Sequence, residues 1–279
     1  FKITGKTRLD FLKPSAKEHR DLFTSLCKRD GGKALFDFLE TKFKRKRPPA
    51  FTLSRSAGWF VEFGVERQLD AIDKVKRVDG DVEAIGAANY MTIESGRLIG
   101  HNNDGKGVVK AIEKVAPLQG QRVVMLGAGG AGRAMAVELA WAGAAGITLI
   151  TRREEQGREV AATVTRASGV AADWLPWNGT VTLPEGTTLL MNATHLGCAP
   201  ELEPVPLDWD SVDPGCVVVD VITNPRITPF LATARERGCP IVDGVEMLVQ
   251  LAMQIFQQWT GVPPEEAVFQ QAVAAALGE

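Results

Sequence analysis

The chain is poor in the residues that build clustered metal or disulfide sites. Its 279 residues include 4 cysteines and 3 histidines. Cys27, Cys198, Cys216 and Cys239 are scattered with no CxxC pair, and His19, His101 and His195 are equally far apart. A disulfide framework or a zinc site needs closely spaced ligands. No metal is therefore expected, and the cysteines read as reduced thiols of a cytoplasmic protein. Long hydrophobic runs are missing too. None reaches the roughly 18 residues of a spanning helix, and the opening FKITGKTRLDF lacks the apolar core of a signal peptide, so no membrane partner is expected. Nor does one sign of charge dominate: 32 Lys+Arg against 34 Asp+Glu leave a net charge of -2. That balance argues against a nucleic-acid partner. The one dense basic run, Lys42-Phe43-Lys44-Arg45-Lys46-Arg47 before Pro48-Pro49, reads as a solvated face.

Hydrophobic residues make up 45% and charged residues 24%, an ordinary globular composition. The length argues for about two domains. The texture changes near residue 105, after which short apolar runs alternate with Ala-rich helical stretches. The pattern predicts strand 122–126, helix 132–142, strand 147–150, helix 154–168, strands 188–191 and 216–221, helix 229–237 and strand 240–242. Continuous apolar runs such as VVML and CVVVDV suit strands buried on both faces. Strands alternating with helices predict an α/β fold with a doubly wound parallel sheet. Tyr90–Asn102 predicts a hairpin turning at ESGR. Residues 244–260 predict a helix, because Val245, Leu248, Val249, Ala252, Ile255, Phe256 and Trp259 recur at helical spacing. A last helix is expected over 264–277.

The most informative local motif is Gly127-Ala128-Gly129-Gly130-Ala131-Gly132, between a predicted strand and a predicted helix. In that context GxGxxG is a dinucleotide signature. The first glycine makes the turn, the second admits a pyrophosphate, and the third packs helix on strand, with helix N–H groups facing the phosphates. An NAD site places an acid roughly 20 residues on. Here Ile150-Thr151-Arg152-Arg153 stands at the strand tip. Two guanidiniums suit a 2′-phosphate, which predicts NADP. The competing reading is a solvated arginine pair bonded to Glu154 or Glu155.

Five segments in order resemble the shikimate dehydrogenase family. They are AIGAANYMTIESGRLIGHNNDGKG (Ala84–Gly107), GAGGAG with Thr151-Arg152-Arg153, MNATHLG (Met191–Gly197), VVVDVITNPRITPFL (Val217–Leu231) and DGVEMLV…FQQWTG (Asp243–Gly261). The resemblance implies a smaller α/β substrate domain over 1–103, a Rossmann NADP domain over 104–244, and helices 245–279 returning to the first. It implies reversible hydride transfer between NADP(H) and shikimate/3-dehydroshikimate or a related cyclic hydroxy acid, in a monomer or homodimer. Asp104 matches the catalytic aspartate, and Ser15, Thr52, Asn89 and Leu251 fall at substrate-binding positions. Cofactor contacts are implied for Gly127 to Gly132, Arg152, Arg153, Asn192, Ala193, Thr194, Val221, Gly244 and Met247. A proton acceptor beside the hydroxyl is what alcohol oxidation needs. Asn89 and Asp104 could also serve simply as turn residues at the hairpin ends.

The departures lie in the substrate half. Two registers place the family's catalytic lysine on Ser56 or on Gln68, with Lys74, Lys76 and Lys106 as candidate replacements. Leu251 stands where the family has a glutamine, and His195 replaces a proline. Two functions remain open at this level: an NADP-dependent oxidoreductase, or a homologue that binds the nucleotide and has lost its substrate chemistry.

Overall fold

The computed structural model describes residues 50–54, 58–62, 77–78, 80–94, 97–260 and 263–277. They fall into two compact units, one reaching to Asn102 and one beginning at Asn103. The first holds β1 (Ala50–Ser54), β2 (Gly58–Glu62), β3 (Arg77–Val78), α1 (Gly80–Ile85), β4 (Tyr90–Glu94) and β5 (Arg97–His101). Its sheet runs β1-β2-β4-β5-β3, antiparallel except for the β3–β5 pair. The expected hairpin is β4–β5, closed by the Glu94–Arg97 pair. Its open end is stitched where Asn89 N–H donates to the His101 carbonyl at 2.9 Å and Asn102 Nδ2 donates to the Ala87 carbonyl at 3.1 Å.

The second unit follows the doubly wound plan. α2 (Asp104–Glu113) leads into β6 (Arg122–Leu126), α3 (Gly130–Trp141), β7 (Gly146–Thr151), α4 (Glu154–Ser168) and β8 (Ala172–Pro176). Then come β9 (Leu189–Asn192), β10 (Val217–Asp220), α5 (Pro229–Glu236), β11 (Ile241–Val242), α6 (Gly244–Thr260) and α7 (Glu266–Leu277). The six strands are parallel in the order β11-β10-β9-β6-β7-β8. The order reverses between β6 and β9, the switch point where such sheets open a crevice beyond their carboxyl ends.

Both faces are covered, as the apolar runs require. Val124, Leu126, Ile150, Leu190 and Val218 form one buried face under Phe230, Leu231 and Ala234 of α5. α3 packs between α2 and α4 and is buried nearly all round. α5 starts on Thr228, whose hydroxyl accepts from Leu231 N–H, with Pro229 in its first turn. The division runs through α6 and α7: residues up to Gln254 and Glu266–Val273 group with the parallel sheet, and Ile255–Glu265 with the first unit.

Two elements of the second unit escape the sequence pattern. β8 is a half-exposed edge strand whose Asp173 and Trp174 interrupt any apolar run. α2 grows directly out of HNNDGKG, a stretch with turn composition, and buries Val108, Val109, Ala111 and Ile112 behind it.

The α2–α3 approach depends on Gly105. A Cβ there would lie 2.5 Å from Glu138 Cγ and 2.6 Å from the Ala134 carbonyl oxygen, and that backbone cannot yield. Gly105→Ala is expected to lower stability by about 1–2 kcal/mol, overpacking outweighing the better helix propensity of alanine. Denaturant titration of both proteins measures it, and an unchanged midpoint refutes the close-packing account.

Candidate active site

At the switch point the chain turns sharply out of β6. Gly127 follows β6 with φ +96. A Cβ there would lie 2.9 Å from Thr194 Cγ2 and 3.0 Å from the Ala193 carbonyl oxygen. The β6 and β9 exits are tied where Ala193 N–H donates to the Leu126 carbonyl at 2.8 Å, and β6 is tied to β7 on its other side where Gly127 N–H donates to the Ile150 carbonyl at 3.0 Å. Gly129 caps α3 without a side-chain bond, and a Cβ on it would meet nothing within 4 Å. The N–H groups of Gly130, Ala131 and Gly132 belong to the first turn, which has no intrahelical acceptors. A Cβ on Gly132 would lie 3.4 Å from the Gly127 carbonyl oxygen and 3.7 Å from Ala193 Cβ. An open helix end of this kind fits a pyrophosphate.

The neighbouring strand ends in cations. Thr151 is buried, whereas Arg152 and Arg153 are exposed at the tip of β7, with Arg153 at the N-cap of α4. Glu154, one of the acids that could neutralise them, instead accepts from Arg158 Nε at 2.8 Å. The donor set thus fits a dinucleotide with a phosphate on its adenosine ribose.

Beneath the loops lies a polar knot that the motif reading passed over. Asn192 Nδ2 donates to the Leu196 carbonyl at 3.0 Å and to Asp220 Oδ1 at 3.2 Å. Its Oδ1 accepts from Thr194 N–H at 3.1 Å and Thr194 Oγ1 at 2.7 Å. Asp220 is fully buried and also accepts from Ile222 N–H at 3.1 Å and Thr228 Oγ1 at 2.7 Å. Burial pushes the Asp220 carboxyl up to about 6, with the bonds from Thr228, Ile222 and Asn192 pulling the other way. The lone acid inside VVVDV was the available signal: an ionisable group in a buried strand needs partners. His195 is exposed on the same turn.

Val221 and Gly244 meet beside this knot, where a Cβ on Gly244 would strike the Ile222 carbonyl and lie 2.6 Å from the Val221 carbonyl carbon. Met247 and Leu251 are buried against α2: a Cβ on Gly107 would lie 3.1 Å from the Met247 carbonyl oxygen and 3.0 Å from Leu251 Cβ. Asp104 is the first residue of α2 and is buried; Asn89 is buried at the mouth of the β4–β5 hairpin. Lys106 lies 3.6 Å from the Glu138 carboxylate of α3. Thr52 pairs with Phe60 in the β1–β2 register. Ser15, Ser56, Gln68, Lys74 and Lys76 lie outside the described residues.

No family model matches the chain. Individual relatives do. It is 37% identical over 214 residues to the shikimate dehydrogenase (NADP(+)) of Moorella thermoacetica, covering 75% of this chain and 70% of that protein. The chain belongs to the shikimate dehydrogenase family. A second member, the shikimate dehydrogenase (NADP(+)) of Bacillus cereus, is 35% identical over 212 residues, 75% of this chain and 74% of its own. Among solved structures, ligand-free 5-ketofructose reductase of a Gluconobacter species superposes with a TM-score of 0.73 at 36% identity, covering 77% of this chain and 78% of that one. A shikimate dehydrogenase in complex with NADP+ gives 0.70 at 29% identity, over 77% and 76%.

The Asp220 knot predicts a pH dependence. Its folded pKa is raised, so the native state holds the proton more tightly than the unfolded state, and its stabilisation fades as pH rises through the window from 3.8 to about 6. Compared by urea unfolding at several pH values, wild type is expected to lose ground to Asp220→Asn across that window, by no more than about 3 kcal/mol. A pH-independent difference refutes the shifted carboxyl.

Proposed function

We propose that the chain is an NADP(H)-dependent dehydrogenase that interconverts a secondary alcohol and a ketone on a small polyhydroxylated substrate of the shikimate kind. The observation that carries the reading is the junction of two features: the open glycine-rich start of α3, and two exposed arginines at the next strand tip. The names of the relatives support it. Gly127 to Gly132 bind the pyrophosphate through backbone N–H groups. Arg152 and Arg153 hold the 2′-phosphate. Asn192 spends its side chain on its own loop, so with Ala193 and Thr194 it acts through loop shape. Val221, Gly244 and Met247 would contribute further contacts to the cofactor.

Bound NADP supplies the hydride acceptor. The chain's own groups bind and orient the substrate and handle the proton. As hydride leaves the carbinol carbon, the O–H bond breaks and its electrons form the carbonyl. Asp104 orients that hydroxyl and accepts its proton as general base. Asn89, Ser15 and Thr52 hold ring and carboxylate oxygens. Leu251 offers no hydrogen bond where the family has a glutamine, which favours a substrate with fewer polar groups on that side. The 36% identity to a 5-ketofructose reductase supports a second reading in which the substrate is a polyhydroxy ketone without a carboxylate.

Two experiments test these assignments. Calorimetric titration should show NADP+ binding more tightly than NAD+, with Arg152→Ala losing about tenfold toward NADP+ only, in line with a charge-assisted bond of about 1.5–3 kcal/mol. Equal affinities in the wild type refute the 2′-phosphate site. A panel of shikimate, quinate and 5-ketofructose, followed by NADPH absorbance, should reveal turnover of at least one. Asp104→Ala should reduce it by about 10²–10⁴-fold while NADP+ affinity holds. Turnover that survives this change removes Asp104 from the chemistry, and a dead panel with intact NADP+ binding removes these substrates.

A further inference from the structure

The proposed cofactor reading makes Arg152 and Arg153 decide between NADP and NAD, and the present inference rests on it. Both side chains are long and exposed. Where they reach is therefore set largely by the backbone that carries them.

One hydroxyl anchors that backbone. Thr151, 5% exposed, donates from Oγ1 to the Arg153 carbonyl at 2.8 Å. The same oxygen accepts from the indole N–H of Trp174 on β8 at 2.9 Å. A threonine hydroxyl has one proton and two lone pairs. With the indole donor on a lone pair, the proton is turned away from Trp174 and toward Arg153, and the two bonds reinforce each other. Further bonds brace the strand tip: Gly157 N–H donates to the Arg153 carbonyl and Trp177 N–H to the Thr151 carbonyl, each at 3.1 Å.

The indole reaches Thr151 only because residue 157 is glycine. A Cβ there would overlap the Trp174 ring and lie 2.7 Å from Thr151 Oγ1. Over the ring sits the Arg158 guanidinium, 4.8 Å from its centroid, held in turn by Glu154. The arrangement joins residues from β7, α4 and β8 around the short stretch that bears both arginines.

We propose that Trp174 is a positioning residue for cofactor choice. Through Thr151 it fixes the backbone from which Arg152 and Arg153 reach the 2′-phosphate, and it sets the preference for NADP over NAD without contacting either.

The test separates selectivity from general stability. Wild type and Trp174→Phe are titrated calorimetrically with NADP+ and NAD+. Phenylalanine keeps a ring beside Gly157 and beneath Arg158 but has no N–H. NADP+ affinity is expected to fall about threefold to tenfold, the size of one lost hydrogen bond, while NAD+ affinity holds. Thr151→Val should give the same selective loss, and the double variant Trp174→Phe/Thr151→Val little more, because the two groups act in series. Gly157→Ala should reproduce the effect by displacing the indole. A Trp174→Phe protein that loses both nucleotides equally, or keeps its full preference, overturns the proposal. Should that protein fail to fold, the Thr151→Val ratio decides on the same terms. A wild type with no preference would defeat the NADP reading itself, a result distinct from a preference that Trp174→Phe leaves intact.

Discussion

The architecture of the parallel unit turns on the close approach of two strand exits. β6 and β9 can lie side by side at their carboxyl ends because Gly127 takes a backbone conformation open to few residues and presents nothing to Ala193 and Thr194. From that approach follow the direction in which α3 leaves, the openness of its first turn and the position of the Asn192 loop. The loop would not hold its shape alone. Four hydrogen bonds to the Asn192 amide and a buried carboxylate below it convert a flexible turn into a fixed wall. A buried network of this kind is stabilising only when every member is satisfied, which explains why Thr228 both caps α5 and donates to Asp220.

Much of this was legible in the residues. VVML, ITLI and CVVVDV each occupy buried parallel strands, because a strand covered on both faces needs an unbroken apolar run. The glycine loop was legible because a tight turn, a close approach and a helix start each demand glycine at a fixed step. β8 was hidden for the opposite reason: an edge strand covered on one side tolerates Asp173 and an exposed Leu175. α2 was hidden because Asn, Asp and Gly at its start carry the same composition whether they form a turn or the head of a helix.

The site was legible by type more than by partnership. Arg152 and Arg153 could be named from their place in the chain. The indole that steadies their backbone comes from β8, more than twenty residues further on, and no local pattern connects them. Asp220 shows the same limit: its importance lies in Asn192 and Thr228, which only the folded sheet brings to it. Residue type points to chemistry, whereas hydrogen-bond partners are a property of topology.

The strand order has one more consequence. Every open sheet has two borders, and each is a potential seam for another chain. Here one border is β11, only Ile241–Val242, too short to template a partner. The other is β8, which ends on Pro176, a residue with no N–H to offer, and carries the charge of Asp173. The central strands, which would be the most adhesive if exposed, are shielded at both sides by strands ill suited to pairing. The parallel sheet thereby presents little at either border for another chain to pair with.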